Sequence, residues 1–223
     1  MSEVIGPAIL FDLDGTLADT APDLCGALNQ LLVERGRPPV PLARTRRHTS
    51  SGARGMIAIG FGIGTEDLEY PDLRDRFMEL YGQRLTQETR LFEGIELLLS
   101  QMDEAGIPWG VVTNKIARLT EPLLQSLGVR QRARVVVSGD TTAHTKPHPA
   151  PLLFAAESIG VDPSRCFYIG DDYRDVKAAH SAGMRAVVAL YGYLGDDLPP
   201  ERWGGDASIH HPRELPRTLR ELG

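Results

Sequence analysis

One pattern recurs along this chain and restricts its fold more than any other: a short apolar, β-branched run followed by an amphipathic stretch closed by glycine. The runs are AILFD (8–12), PWGVVT (108–113), ARVVVS (133–138), CFYIG (166–170) and RAVVAL (185–190). Such near-continuous apolar runs suit strands covered on both faces of a parallel sheet. The stretches GIELLLSQMDEAG, RLTEPLLQSLG, APLLFAAESIG and YRDVKAAHSAG end at Gly106, Gly128, Gly160 and Gly183. Glycine just past the last periodic residue stops a helix, because it adopts the left-handed conformation without a Cβ clash. Strands alternating with helices form βαβ units, so the expected fold is α/β, a Rossmann-like, doubly wound parallel sheet.

The rhythm breaks between residues 20 and 89. TAPDLCGALNQLLVERG opens with Thr20, a candidate cap, and Pro22, suited to a first helical turn, and it puts Leu24, Leu28, Leu31 and Leu32 on one face. A second amphipathic stretch, DLRDRFMELYGQRL, follows, with RGRPPVP as a loop and no strand between. The expected organisation is a core of residues 1–19 and 90–223 with a small all-helical insertion, 20–89, after the first strand.

Composition excludes several classes. A chain of 223 residues, 42% hydrophobic and 24% charged, can bury a proper core. Its net charge of −6 argues against nucleic acid as a partner, which needs a basic face; the ARTRRH cluster (43–48) reads as a solvated face. Cys25 and Cys166 lie far apart without a CxxC pattern, so neither a disulfide framework nor a zinc site is expected. No signal peptide and no apolar run of about 20 residues is visible, which predicts a cytoplasmic chain without a membrane partner.

Chemistry concentrates at strand ends, where the ligand crevice of an open α/β sheet lies. The first strand ends in Asp12 and Asp14. Two unit charges about 4 Å apart repel by roughly 4 kcal/mol at an effective dielectric near 20, so a buried strand ending in two acids calls for a reason. The second strand ends VVTNK, giving Thr113 and Asn114; a loop, TKPHP, supplies Lys146; a later strand ends GDDYRD, with Asp171, Asp172 and Asp175.

These motifs, in this order and over nearly the whole chain, resemble the phosphatases of the haloacid dehalogenase superfamily. The resemblance implies that Asp12 is a nucleophile forming an aspartyl-phosphate and that Asp14 is the general acid, then the base for the hydrolytic water. Crowding by a second carboxylate helps an acid keep its proton, so the repulsion is partly functional. It also calls for a cation. Asp12, Asp171 and the Asp14 backbone carbonyl are hard oxygen donors with no His or Cys among them, which favours Mg²⁺. Thr113, the Asn114 N–H and Lys146 would cradle the phosphate. Gly15 would turn the chain sharply off the strand, and Thr16 would bond the local backbone or orient Asp14. Asp175 would contact Lys146 or a metal-bound water. Asp172 would join it or act as a helix N-terminal acid. Lys115 reads as a solvated surface charge.

The resemblance also implies that the insertion is a helical cap that excludes water and carries specificity. In TSSGARGM, Arg54 lies between Gly52 and Gly55; it either clamps a substrate carboxylate or is an exposed loop arginine. Length, insertion and motifs resemble phosphoglycolate phosphatases. SGARGM, LFEG, WGVVTNK, GDDYRD and YGY followed by WGGDA look like the N-acetylmuramic acid 6-phosphate phosphatases. The expected partner is therefore a small phosphorylated metabolite carrying a carboxylate. A sugar-phosphate mutase would use the same aspartates. A receiver module uses a similar set, but is shorter, lacks the insertion and carries its aspartate on a middle strand.

Other signals are discounted. GFGIG (60–64) reads as a turn of the insertion, since no strand and helix frame it. His144 and His148 cannot share a helix across Pro147. Trp109 is expected in the core, and Trp203 is expected to pack a last strand near ASI.

Overall fold

The computed structural model describes residues 7–195 and 198–223. Residues 1–6, 196 and 197, part of the expected core, lie outside the described residues. Six parallel strands form the main sheet in the order β5-β4-β1-β6-β7-β8. They are β1 (Ala8–Phe11), β4 (Trp109–Val112), β5 (Val135–Val137), β6 (Cys166–Gly170), β7 (Arg185–Ala189) and β8 (Ala207–Ile209). The chain builds from β1 to β4 and β5, then crosses back to lay β6 on the other side of β1. The order reverses at β1, which puts the crevice at the carboxyl ends of β1, β4 and β6.

Alternation within β1 sorts the helices onto two faces. Ala8 and Leu10 pack with Leu152 and Ala155 of α7 (Ala150–Ile159) and Val176 of α8 (Tyr173–Ser181). Trp203 belongs to this cluster. Ile9 and Phe11 face the other way, toward Leu98 of α5 (Ile95–Glu104), Leu123 of α6 (Ala117–Ser126) and Leu215 of α9 (Leu215–Leu222). Trp109 lies in this second cluster and is 1% exposed. The four expected helix-stopping glycines all have positive φ, between 65° and 79°.

The helices of the insertion are α1 (Ala21–Glu34), α2 (Leu42–Thr45), α3 (Gly52–Phe61) and α4 (Tyr70–Arg84). Leu24, Leu28, Leu31 and Leu32 are all buried, against Phe77 and Leu80 of α4 and Ile57 of α3. This cluster is continuous with the Phe11 face of the sheet. RGRPPVP is a loop, and GFGIG ends α3 with Gly62 in the left-handed region. A two-stranded antiparallel ribbon, β2 (Ala18–Asp19) with β3 (Arg90–Leu91), lies where the chain leaves and re-enters the core. The sequence reading had no such ribbon, because two-residue strands carry no periodicity. Asp23 pins the same crossing: fully buried, it accepts from the backbone N–H groups of Glu88 and Thr89 at 3.0 and 2.9 Å and from the Thr89 hydroxyl at 2.8 Å. Among the described residues no helix is long and apolar enough to cross a membrane.

Candidate active site

The crevice between the sheet and the insertion is a cavity of about 260 Å³. The ends of β1 and β4 contribute Asp12, Asp14, Thr113 and Asn114, the loop after β5 contributes Lys146, and α8 with its N-cap contributes Asp172, Arg174 and Asp175. Leu24, Phe77, Met78 and Tyr81 of α1 and α4 form an apolar wall with Ile116 and Leu119. Asp171 and Thr16 are not on the wall; both are fully buried.

Lys146 is the hub. Its side chain is 3% exposed, and its ammonium sits 2.9 Å from Asp12 Oδ1 and 2.8 Å from Asp175 Oδ1 and donates to the Tyr168 hydroxyl at 2.7 Å. Burial alone would push this ammonium down, but Asp12 and Asp175 hold it above its ordinary value. Tyr168 passes the chain of bonds on to the Val112 carbonyl at 2.7 Å. The Asn114 side chain brackets the Lys146 backbone, donating to its carbonyl and accepting from its N–H, each at 3.0 Å. Two separate loops are thereby locked in register.

Asp12 Oδ1 also accepts from the Leu13 N–H at 2.8 Å. Gly15, with φ 87°, turns the chain off β1. Asp14 stands just before that turn, and the expectation that Lys115 is a surface charge fails there. Lys115 is not a solvated charge; its side chain is 6% exposed, and its ammonium donates to both Asp14 oxygens at 2.8 Å. Burial alone would lower its pKa, but Asp14 raises it. Lysine stems bury along apolar surface, and a strand-end residue can fold back into the crevice. Thr20 also departs from expectation. It makes no side-chain cap on α1; its hydroxyl donates to Asp14 Oδ1 at 2.6 Å.

Thr16 orients neither Asp14 nor the local backbone. Its hydroxyl donates to Asp171 Oδ1 at 2.9 Å. Asp171 Oδ2 accepts from the Tyr193 N–H at 2.9 Å, and the Tyr193 hydroxyl accepts from the N–H groups of Thr20 and Ala21 at 2.7 and 3.0 Å. The start of the insertion is thus tied to Asp171 through one tyrosine that the sequence reading did not single out.

Asp172 takes the helix-terminus role. Its side chain caps α8 in a reciprocal capping box with Asp175, and it accepts from Arg174 Nε at 2.8 Å. Burial alone would push its carboxyl up, but Arg174 holds it below the ordinary range. Arg174 then reaches across to the insertion and donates to the Ser50 carbonyl at 2.6 Å. Sequence reasoning missed this arginine, although its place in the GDDYRD motif was visible.

Arg54 is not brought to the site. It lies inside α3, exposed, and is not among the residues lining the cavity. The expected glycine-flanked loop is a helix from Gly52 onward; Gly52, with φ 56°, makes the turn into it and Gly55 packs against the His48 carbonyl, so the flanking glycines serve the turn and the packing rather than presentation of the arginine.

Asp12, Asp171 and Asp175 each offer a carboxylate oxygen, and these lie within 4.8 Å of one another. Burial, then Asp12 and Asp175, push the Asp171 carboxyl well above its ordinary value. Burial also raises Asp175, to about 7 against the opposing pull of Lys146. A Cβ at Gly15 or Gly192 would fall onto the Asp171 side chain, so the backbone leaves space only for that carboxyl. An all-oxygen, charge-crowded group of this kind could bind a hard divalent metal.

Comparison with known proteins gives a consistent picture. The haloacid dehalogenase-like hydrolase family matches residues 9–189. An N-acetylmuramic acid 6-phosphate phosphatase of Pseudomonas aeruginosa is 43% identical over 208 residues, covering 93% of this chain and 92% of that protein. A phosphoglycolate phosphatase of Xanthomonas campestris pv. campestris is 45% identical over 209 residues, covering 93% and 94%. The crystal structure of a predicted phosphoglycolate phosphatase from Haemophilus somnus superposes with a TM-score of 0.84 at 26% identity, covering 96% and 97%. The chain therefore belongs to the haloacid dehalogenase-like hydrolase family and, within it, is a phosphoric monoester hydrolase.

Proposed function

We propose that this protein hydrolyses a small carboxylated phosphomonoester, N-acetylmuramic acid 6-phosphate above others, through an aspartyl-phosphate and with Mg²⁺. The observation that carries the reaction is the convergence of Asp12, Asp14, Thr113, Asn114 and Lys146 on one cavity. Asp12 Oδ1 is engaged by Leu13 and Lys146, which leaves Oδ2 to attack phosphorus. The P–O ester bond breaks, and the leaving alkoxide takes a proton from Asp14. Asp14, now a carboxylate, removes a proton from water as its oxygen attacks the phosphorus, which frees Asp12 and inorganic phosphate. Lys146 and Thr113 offer donors to the equatorial oxygens. Asp12, Asp171 and the Asp14 carbonyl would hold Mg²⁺, whose charge would offset that of the carboxylates and the phosphoryl group.

Lys115 and Thr20 both donate to Asp14, the arrangement of a base. Asp14 acts as an acid once Lys115 shifts to another anion, and a substrate carboxylate suits that exchange. The helical insertion, residues 20–89, serves as a cap that closes over the site. Its apolar wall of Leu24, Phe77 and Met78 favours a leaving group with carbon surface, as the amino-sugar acid has. One observation favours phosphoglycolate instead: about 260 Å³ is a modest volume for a hexose derivative. Steady-state kcat/KM with Mg²⁺ on both esters, with Asp12→Asn as blank, tests the reading. A preference for the sugar supports it, and a preference for phosphoglycolate replaces the substrate. Turnover by Asp12→Asn equal to wild type rejects the nucleophile. Isomerised product without net phosphate release would make the protein a mutase.

A further inference from the structure

Tyr81 stands apart from every other buried polar side chain. Among the described residues its hydroxyl is the buried side-chain polar atom without a hydrogen-bond partner. The residue is 1% exposed, on α4, and lines the cavity. Burial pushes the phenol up to about 12, so it stays neutral at working pH. The Lys115 ammonium lies over its ring, 4.9 Å from the centroid, without hydrogen-bond geometry to the hydroxyl, while its donors point to Asp14.

Buried hydroxyls in native proteins are almost always paired, because leaving one unpaired destabilises the fold. The fold itself has no use for this oxygen. One turn earlier on the same face, Phe77 fills the equivalent role without a hydroxyl, and the two rings stack with centroids 6.2 Å apart. The aromatic ring serves packing and Lys115; the oxygen is a neighbour of that ammonium but completes no hydrogen bond with it. Tyr81 lines the same cavity as Asp14, on the α4 side.

We propose that Tyr81 is a specificity-determining residue, whose hydroxyl hydrogen-bonds a hydroxyl, amide or carboxylate of the leaving alcohol beside Lys115. The inference rests on the phosphomonoesterase reading and extends it: the favoured substrates are esters of polyfunctional alcohols, not of plain ones. Because the bond forms across the join between α4 and the strand ends, it also reports that the insertion has closed on a polar leaving group.

The test is Tyr81→Phe, which keeps the ring, the stack and the contact with Lys115 and removes only the oxygen. Wild type and variant are compared in kcat/KM on N-acetylmuramic acid 6-phosphate, 2-phosphoglycolate and phenyl phosphate, whose leaving group offers nothing beyond the ester oxygen. Thermal melting is measured alongside. The expected result is a Tm equal to or above wild type, a loss of roughly 10- to 100-fold on the better of the two polar esters, and a change within about twofold on phenyl phosphate. An unchanged ratio between polar and plain esters overturns the proposal, as does a uniform loss with a lowered Tm, which would mark a structural hydroxyl. If wild-type protein turns over none of the three esters, the phosphatase reading fails and takes the inference with it. A variant that matches an active wild type sinks the inference alone.

Discussion

The strongest structural test lies at the crossing between the insertion and the core, in Asp23→Ala. The Asp23 carboxylate is fully buried, with Oδ2 accepting three donors, two of them backbone N–H groups just before β3. Arg84 Nε approaches Oδ1 at 3.4 Å with its own side chain 19% exposed. A hydrogen bond to a charged group contributes about 1.5–3 kcal/mol, and an orphaned buried donor costs about 1–3 kcal/mol. Glu88 is exposed and its N–H can recover water, whereas Thr89 is 2% exposed and cannot do so as easily. Three bonds lost and one partly recovered give about 3–5 kcal/mol, the range for breaking a buried charged network. Asp23→Asn keeps one acceptor oxygen but points an amide N–H at Arg84, so about 1–2 kcal/mol is expected. Urea unfolding measures both. At a slope of about 2–3 kcal/mol per M, Asp23→Ala should lower the midpoint by about 1–2.5 M. Limited proteolysis should cut first near residues 86–90, since both strands of the crossing loosen together. A midpoint shift below about 0.3 M for Asp23→Ala would refute the claim that this carboxylate pins the insertion.

Three further outcomes follow from the site and the sheet edge. Lys115→Met should lower kcat/KM on a carboxylated ester by roughly 10- to 100-fold, and less on phenyl phosphate, whereas Arg54→Ala should stay within about twofold; the reverse ranking would return specificity to the α3 arginine. EDTA should abolish phosphate release and added Mg²⁺ should restore it, and turnover that survives chelation would reject the cation. Asp206 Oδ2 accepts from the Ala186 N–H at 2.7 Å and lies 2.9 Å from His180 Nε2. Burial alone would push this carboxyl up, but those partners hold it below its ordinary value. A depressed folded pKa contributes stability above the unfolded value near 3.9, and the contribution is lost as pH falls through the folded pKa. The stability gap between wild type and Asp206→Asn should therefore be full above about pH 5 and shrink toward pH 3; a gap independent of pH in urea titrations would remove that carboxylate from the account.

The sheet was legible because its signals are local. AILFD and CFYIG are apolar on both faces and can only be buried strands, and Gly106, Gly128, Gly160 and Gly183 end helices whatever lies around them. The helical insertion was legible in the 3.6-residue spacing of Leu24, Leu28, Leu31 and Leu32. The site residues at strand ends were legible for the same reason: an acid after a buried strand has one place to go in an open α/β sheet. Lys115 was misread, and Arg54, left open between a clamp and an exposed loop arginine, is exposed but on a helix. Nothing local tells a strand-end lysine from a surface one, and glycines on either side of an arginine look the same in a loop and in a helix.

The sequence by itself determined which elements form and which residues stand at the mouth of the sheet, since period, capping and strand-end polarity are properties of neighbours in the chain. Which charges meet was decided by the tertiary structure. Lys146 reaches Asp12 and Asp175 across 134 and 29 positions, Lys115 reaches Asp14 across 101, and Tyr81 brings an unpartnered oxygen to them from the insertion. Pairings of that kind depend on the order of strands in the sheet and on how four helices sit above it, and burial gives each pairing its strength by removing the water that would otherwise screen it.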